Sequence, residues 1–190
     1  VGGYDFHVVG QHLSGVATGF GALKSHERIL DIGCGVGRLA VPLTRHLTTG
    51  EYTGFDISGR AIRWCDKSIA RHHPNFRFVH ADISNSHYNP HGALRPETFR
   101  FPCADQSVDI AFASSVFTHL EPASANNYLA ETARVLKPGG RAVLSFFLLD
   151  PEVKSRLGVC FPRFEHFPQP YYAVENPRDP EAAVAYDGAV

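Results

Sequence analysis

The sequence predicts a doubly wound α/β fold built on a mainly parallel sheet, and three observations carry that expectation. From residue 28 to about residue 149, short apolar runs alternate with segments of helical spacing, the pattern of parallel strands joined by crossover helices. The notable polar residues (Asp31–Gly37, Asp56, Asp82 and Ser114–His119) fall where such strands would end, and sheets of this kind bind ligands at the carboxyl ends of their strands. Asp31, Asp56 and Asp82 stand 25 and 26 residues apart, one strand–helix unit each.

The elements follow in order. Residues 4–27, "YDFHVVGQHLSGVATGFGALKSHE", read as a helix capping the site. "RILDIG" is a short apolar run ending in glycine, a buried strand. "GRLAVPLTRHL" places Leu39, Leu43 and Leu47 at helical spacing, with Pro42 in its early turns. "EYTGFDIS" is a second strand, and Ser58 is an N-cap for "GRAIRWCDKSIARHH", whose Ile62, Cys65 and Ile69 share a face. "NFRFVHAD" and "SVDIAFASS" supply the third and fourth strands. "PASANNYLAETARVLK" reads as a helix with Tyr128, Leu129, Ala133 and Leu136 inward, and "PGGRAVLSFFLL" as a turn and fifth strand. Beyond residue 149 the chain is rich in proline and aromatics and reads as a long loop or lid with little regular structure. Its end, "EAAVAYDGAV", reads as the start of a further helix.

The 190 residues suit one domain over 1–190, divided into a cap helix (1–27), a core (28–149) and a tail (150–190). A hydrophobic content of 44% with 19% charged residues fits a globular chain. The net charge of −1 gives no global pull toward nucleic acid or anionic membrane. No apolar stretch reaches the roughly 18–20 residues of a membrane-spanning helix, and the start lacks the layout of a signal peptide. Cys34, Cys65, Cys103 and Cys160 lie far apart with no CxxC pair, which favours free thiols in a reducing cytoplasm. His72, His73, His87, His91 and His166 lack metal-ligand spacing, so no metal is expected. The chain opens on Val1 and contains no methionine, so a trimmed or partly recorded chain is expected.

The glycine turn separates two cofactor chemistries. A dinucleotide fingerprint has the form G-x-G-x-x-G. Counting from Gly33, the third glycine position holds Arg38, and Gly37 comes one residue early. The pattern Asp31-x-Gly33-x-Gly35-x-Gly37 instead resembles that of the class I S-adenosylmethionine-dependent methyltransferases. The resemblance extends over residues 28–149 through "YTGFDIS", "FVHADIS", "FPCADQSVDIAFASSVFTHL" and "ARVLKPGGRAVLS". It implies a Rossmann-like fold and S-adenosylmethionine as cofactor, with S-adenosylhomocysteine as product. The implied cofactor site is Asp31, Gly33, Cys34, Gly35, Gly37 and Arg38 around the amino-acid tail, Asp56 on the ribose, Ile57, Ala81, Asp82 and Ile83 around the adenine, and Ser114, Ser115 and Val116 near the methionine part. Phe117 and His119 would face the acceptor, with His119 as the candidate base for a hydroxyl.

Plainer readings stand beside these. The glycines could only make a tight turn, Asp56 and Asp82 could only cap helices, and His119 could only shape the pocket. Cys34 reads as a small apolar filler, and Trp64 and Cys65 as core on a helix face. The fourth strand carries Ser114, Ser115, Val116 and Phe117 in place of the Asn/Asp-Pro-Pro-aromatic tetrapeptide of many nitrogen methyltransferases. The acidic cluster of metal-dependent catechol-type enzymes is also not recognisable. A small-molecule, lipid or glycan acceptor, methylated at oxygen, is therefore expected, with no nucleic-acid partner and no membrane insertion. The long insertion "SNSHYNPHGALRPETFRFPCADQS" between the third and fourth strands would line the acceptor pocket. The antiparallel hairpin with which the family usually completes its sheet is expected to be missing, leaving an exposed edge. Two alternatives complete the expectations: a noncatalytic S-adenosylmethionine-binding subunit and a nicotinamide-dependent dehydrogenase. The oligomeric state is not legible in the sequence.

Overall fold

A computed structural model describes residues 5–155 and 162–188. Its centre is a sheet of five parallel strands: β1 (Arg28–Ile32), β2 (Glu51–Asp56), β3 (Phe76–His80), β4 (Val108–Ala113) and β5 (Leu136–Leu144). Their spatial order is β3-β2-β1-β4-β5. The chain winds outward from β1 through β2 to β3, then crosses to the other side of β1 for β4 and β5. The strand order thus reverses between β1 and β4, and the crevice at that switch point is where such a sheet takes its ligand. Register sets Ile32 beside both Phe55 and Ala113, so three strand ends open onto one place.

The central strands are apolar without alternation because both faces are covered. Ile29, Leu30 and Ile32 of β1 and Ile110, Ala111 and Phe112 of β4 are all buried. Two layers of side chains result, one on each face of the sheet. β5 carries a bulge after Leu136, where Gly139 takes φ +78°. The sequence therefore makes "LKPGGR" an interruption within a strand, not a turn before one.

Helix α1 (Phe6–Gly19) begins at Asp5, whose carboxylate accepts from the N–H groups of His7 and Val8. Gly10 brings this helix so close to the Arg38 carbonyl that a Cβ there would stand 2.5 Å from its oxygen. The expected helix after β1 is regular only over α2 (Ala40–Leu43), although Leu39, Leu43 and Leu47 are buried as their spacing requires. α3 (Gly59–Cys65) is capped by Ser58, whose hydroxyl accepts from Ala61 N at 3.3 Å, and continues as a π-helical turn over Asp66–Ala70. Ile62, Cys65 and Ile69 share its buried face. α4 (Pro122–Val135) begins with proline at its first turn, where the absent N–H is not missed. Its inward face is Ser124, Ala125, Tyr128, Thr132 and Val135, while Leu129 and Ala133 face solvent and Leu136 belongs to β5. The face differs from the expected one by a turn of one residue, because Ser124 and Thr132 are buried polar positions; the Thr132 hydroxyl satisfies itself on the Tyr128 carbonyl at 2.7 Å.

The tail corrects a further expectation. β6 (Phe147–Leu148), β7 (His166–Gln169), β8 (Tyr172–Val174) and β9 (Val184–Tyr186) form a separate sheet in the order β6-β9-β8-β7. α5 (Pro151–Ser155) follows β6. The segment expected to start a helix holds a single 3-10 turn, Pro180–Ala182, and then β9. Leu149, Phe164, Ala173, Ala183 and Ala185 make this sheet's own small core. Its strands are two to four residues long, too short for alternation to show in the sequence. The antiparallel pairs β7–β8 and β8–β9 lie in this sheet, and among the described residues no strand pairs with the outer side of β5.

Candidate functional site

Past Ile32 the chain turns through Gly33, Gly35 and Gly37, each with φ between +52° and +72°, a region open to glycine at little cost. The N–H groups of Gly33 and Cys34 both donate to the Phe55 carbonyl, at 2.9 and 3.0 Å, which ties the turn to the end of β2. A Cβ on Gly33 would stand 2.4 Å from Val116 Cγ2, so the turn is closed against the end of β4. A Cβ on Gly35 would meet nothing within 4 Å. Here the backbone faces open space. Beside it, a cleft of about 410 Å³ runs between α1 and α3, lined by Phe6, Val36, Ser58, Arg60, Ala61 and Trp64.

The acids at the strand ends differ in setting. Asp31 is buried beneath the turn and accepts the Tyr52 hydroxyl. Burial, with a smaller push from the charge of Asp56, raises its pKa to about 7. Asp56 is half-buried; Oδ2 accepts from Gly35 N at 2.7 Å and Oδ1 from Ser58 N at 2.8 Å. Burial raises its pKa, and those two donors oppose the rise. Each carboxylate oxygen keeps a lone pair for a further donor. Asp82 accepts from Asn89 Nδ2 at 2.9 Å and from Ala93 N at 3.3 Å, and these donors hold its carboxyl below the usual range. It therefore anchors the start of the insertion to the end of β3.

At the end of β4, Ser115 takes φ +58° and its N–H donates to Ser145 Oγ at 2.8 Å. Phe117 is fully buried, with its ring against Tyr128 and Phe146. His119 is half-buried, and its Nδ1 lies 3.0 Å from the Glu181 carbonyl. A carbonyl oxygen only accepts, so Nδ1 carries the hydrogen and Nε2 the lone pair. The Tyr88 hydroxyl faces that Nε2 at 3.4 Å. Burial lowers the His119 pKa, which favours the neutral ring.

Residues 29–140 match the family model described as a methyltransferase domain. With the fold and the acidic-glycine turn already in place, that match decides the family. The chain belongs to the class I S-adenosylmethionine-dependent methyltransferases. It is 33% identical over 120 residues to phthiotriol/phenolphthiotriol dimycocerosates methyltransferase 1 of Mycobacterium ulcerans, covering 61% of this chain and 36% of that protein. It is 30% identical over 129 residues to 27-O-demethylrifamycin SV methyltransferase of Amycolatopsis mediterranei, covering 68% of this chain and 42% of the relative. The chain thus spans well under half the length of these curated relatives. Coclaurine N-methyltransferase, solved with N-methylheliamine and S-adenosylhomocysteine, shares the fold at a TM-score of 0.56 and 15% identity, over 71% of this chain and 35% of that one.

Within this methyltransferase fold, the strand ends bring Gly33, Gly35, Asp56 and Val116 together around one turn. Cys34 is buried under it, and burial pushes the thiols of Cys34 and Cys65 up, Cys65 to about 12, so both stay un-ionised fillers. Ile57 is half-buried beside Asp56, whereas Ala81 and Ile83 are core. Arg38 contributes its carbonyl to the contact with α1. Phe117 has no surface left to offer an acceptor; the exposed ring in that neighbourhood is Tyr88. Sequence reasoning missed Tyr52, Ser145, Asp179 and Glu181, and it named Tyr88 and Asn89 only as part of the long insertion. Of those missed, only Tyr52 left a sequence signal, as a polar-tipped residue in a strand paired with the one bearing Asp31. Among the described residues, no group of three or more His, Cys, Asp or Glu side chains gathers as a metal would require, and no helix is long and apolar enough to cross a membrane.

Proposed function

We propose that this chain transfers a methyl group from S-adenosylmethionine to a hydroxyl of a small-molecule, lipid or glycan acceptor. The observation that carries the proposal is the pairing of an open glycine turn with a half-buried carboxylate, Asp56, that retains acceptor capacity beside it. A cofactor bearing an amino-acid tail and a ribose diol fits that pairing. The tail would lie along Gly33–Gly37, where Gly35 offers backbone without a side chain, and the diol would donate to Asp56. Ile57 and Asp82 would border the adenine. When bound, the cofactor would supply a sulfonium-activated methyl, whose transfer to the acceptor oxygen would leave the carbon–sulfur electron pair on sulfur.

The chain's own groups would then orient and deprotonate the acceptor. Burial favours the neutral His119 ring and the Glu181 carbonyl takes the hydrogen on Nδ1, so Nε2 would take the hydroxyl proton. Much of the rate would come from alignment and exclusion of water, since the methyl is already activated. Two matched relatives are named for acceptors of the proposed class, a phthiotriol lipid and a rifamycin, and the second name places the methyl on oxygen. A reducing compartment such as the cytoplasm belongs to the same proposal, in keeping with the free thiols of Cys34, Cys65 and Cys103.

Calorimetric titration with S-adenosylhomocysteine, with NADH as control, tests the cofactor half. Binding of the former alone is expected. Asp56→Ala should weaken it about 100-fold, the loss of two charge-assisted hydrogen bonds. Preference for NADH, or equal affinity in the variant, would overturn the assignment. For the acceptor half, label transfer from methyl-labelled cofactor to a panel of hydroxylated lipids and polyketides should fall at least about 100-fold in His119→Asn. S-adenosylhomocysteine affinity should stay unchanged in that variant.

A further inference from the structure

Three segments far apart in sequence meet over His119. The insertion after β3 contributes Ser86, His87 and Tyr88; the turn after β4 contributes His119; the tail contributes Asp179 and Glu181. Ser86 donates twice to the tail, from its N–H to Glu181 Oε2 at 2.5 Å and from its hydroxyl to Asp179 Oδ1 at 3.0 Å. His87 Nδ1 donates to Asp179 Oδ2 at 2.7 Å. The Glu181 carbonyl accepts from His119 Nδ1, and Asn85 Nδ2 donates to the His119 carbonyl at 3.1 Å. Tyr88 stands edge-on to both imidazoles, with centroids 4.6 Å from His87 and 5.0 Å from His119.

We propose that the tail corner Asp179–Glu181 positions His119 and Tyr88 to receive a neutral hydroxyl acceptor. Glu181 fixes the imidazole with Nε2 bare, and Asp179, through Ser86 and His87, sets the Tyr88 hydroxyl opposite that nitrogen. The inference rests on the methyltransferase reading above. An incoming alcohol would donate its proton to Nε2 and accept from the Tyr88 O–H, replacing the long contact those two groups make with each other. The chemistry of the corner selects against anions. Asp179 and Glu181 both lie here, and Glu121 feels the charge of Glu181, so a carboxylate or phosphate acceptor would meet like charge. Asp179 is a positioning residue: it acts through His87 and Ser86 and touches neither His119 nor an acceptor.

The test reads the tautomer of His119, which a merely structural corner would not set. Long-range proton–nitrogen correlation on histidine-labelled chain, above the pH at which imidazoles are charged, should show His119 hydrogen-bearing at Nδ1; its signal is identified by loss in His119→Gln. Free imidazole side chains prefer the hydrogen on Nε2. The double variant Asp179→Ala/Glu181→Ala keeps the Glu181 carbonyl but removes the two carboxylates through which Ser86 and His87 hold the corner. That carbonyl should then drift from Nδ1, and His119 should move toward the Nε2 form. Asp179→Glu on the native background should restore much of the native signal relative to Asp179→Ala. If the double variant does not fold, His87→Ala, which removes the ring that Asp179 and Tyr88 both contact, should shift the same signals in the same direction. A native His119 with its hydrogen on Nε2, or a tautomer unmoved by these substitutions, would overturn the proposal. Titration of S-adenosylhomocysteine into the native chain is an independent measurement: failure to bind counts against the methyltransferase reading and leaves the tautomer result standing.

Discussion

On the side of the glycine turn, the site is held by main-chain groups and one carboxylate. Gly33 and Cys34 donate to the Phe55 carbonyl, Gly35 donates to Asp56, and the partners are neighbouring strands of one parallel sheet. On the side of His119, the holding groups are side chains from three segments. The contact from His119 to Glu181 spans 62 residues, that from His87 to Asp179 spans 92, and that from Ser86 to Glu181 spans 95. The first side needs only the sheet to form. The second needs the sheet, the insertion and the small tail sheet to dock together, so it is the side more easily loosened.

The sharpest break in this comparison is expected at the acid beneath the turn. Asp31 has a pKa of about 7 in the folded chain against an ordinary carboxylate value near 4. The folded state therefore keeps a proton that the unfolded chain releases, and stability falls as pH rises from about 4 to about 7, then levels. Asp31→Asn retains an oxygen for the Tyr52 hydroxyl and escapes that loss. Its thermal stability should match the native chain near pH 4 and exceed it above pH 7, by several kcal/mol, on the order of the shift converted at 1.36 kcal/mol per pH unit. A constant difference across that range in thermal melts would show that Asp31 ionises normally.

Leu149→Ala separates the two sides directly. Leu149 lies in the core of the tail sheet, and its truncation should cost about 3 kcal/mol. Limited proteolysis should then cut the tail first, while S-adenosylhomocysteine affinity is retained and transfer to acceptors is lost. Equal loss of both would mean that the glycine turn also depends on the tail.

Gly35→Ala is the finest probe. The new methyl meets no protein atom, so the stability cost is only that of a left-handed conformation, about 1 kcal/mol. Cofactor affinity should fall by more than that cost, because the methyl projects into the space the turn leaves open. A variant less stable by that amount and binding S-adenosylhomocysteine as the native chain does would place the cofactor elsewhere.

The same division separates what is legible in the sequence from what is not. Positive-φ glycines, the acids ending β1 to β3, the cap at Ser58 and the proline opening α4 are local features, and each stands where its residue type predicts. By sequence, Asp31 belongs to the residues around the cofactor's amino-acid tail; burial beneath the turn raises its pKa to about 7, against the opposing hydrogen bond from the Tyr52 hydroxyl. Phe117, by its place after β4, is an acceptor contact, yet its ring fills the core between α4 and the chain after β5. The tail sheet leaves no trace in the sequence because strands of two to four residues carry no period to detect.

The sequence alone determined the winding of the parallel sheet, the conformation of the glycine turn and the register of Asp56 beside it, because propensity, apolar runs and turn chemistry act over a few residues. Only the tertiary structure decided that Phe117 is core, which nitrogen of His119 is bare and that the tail folds as a sheet of its own. Those outcomes depend on side chains meeting across 62 to 95 residues of chain, and the energy of such meetings is set by packing that no local pattern encodes.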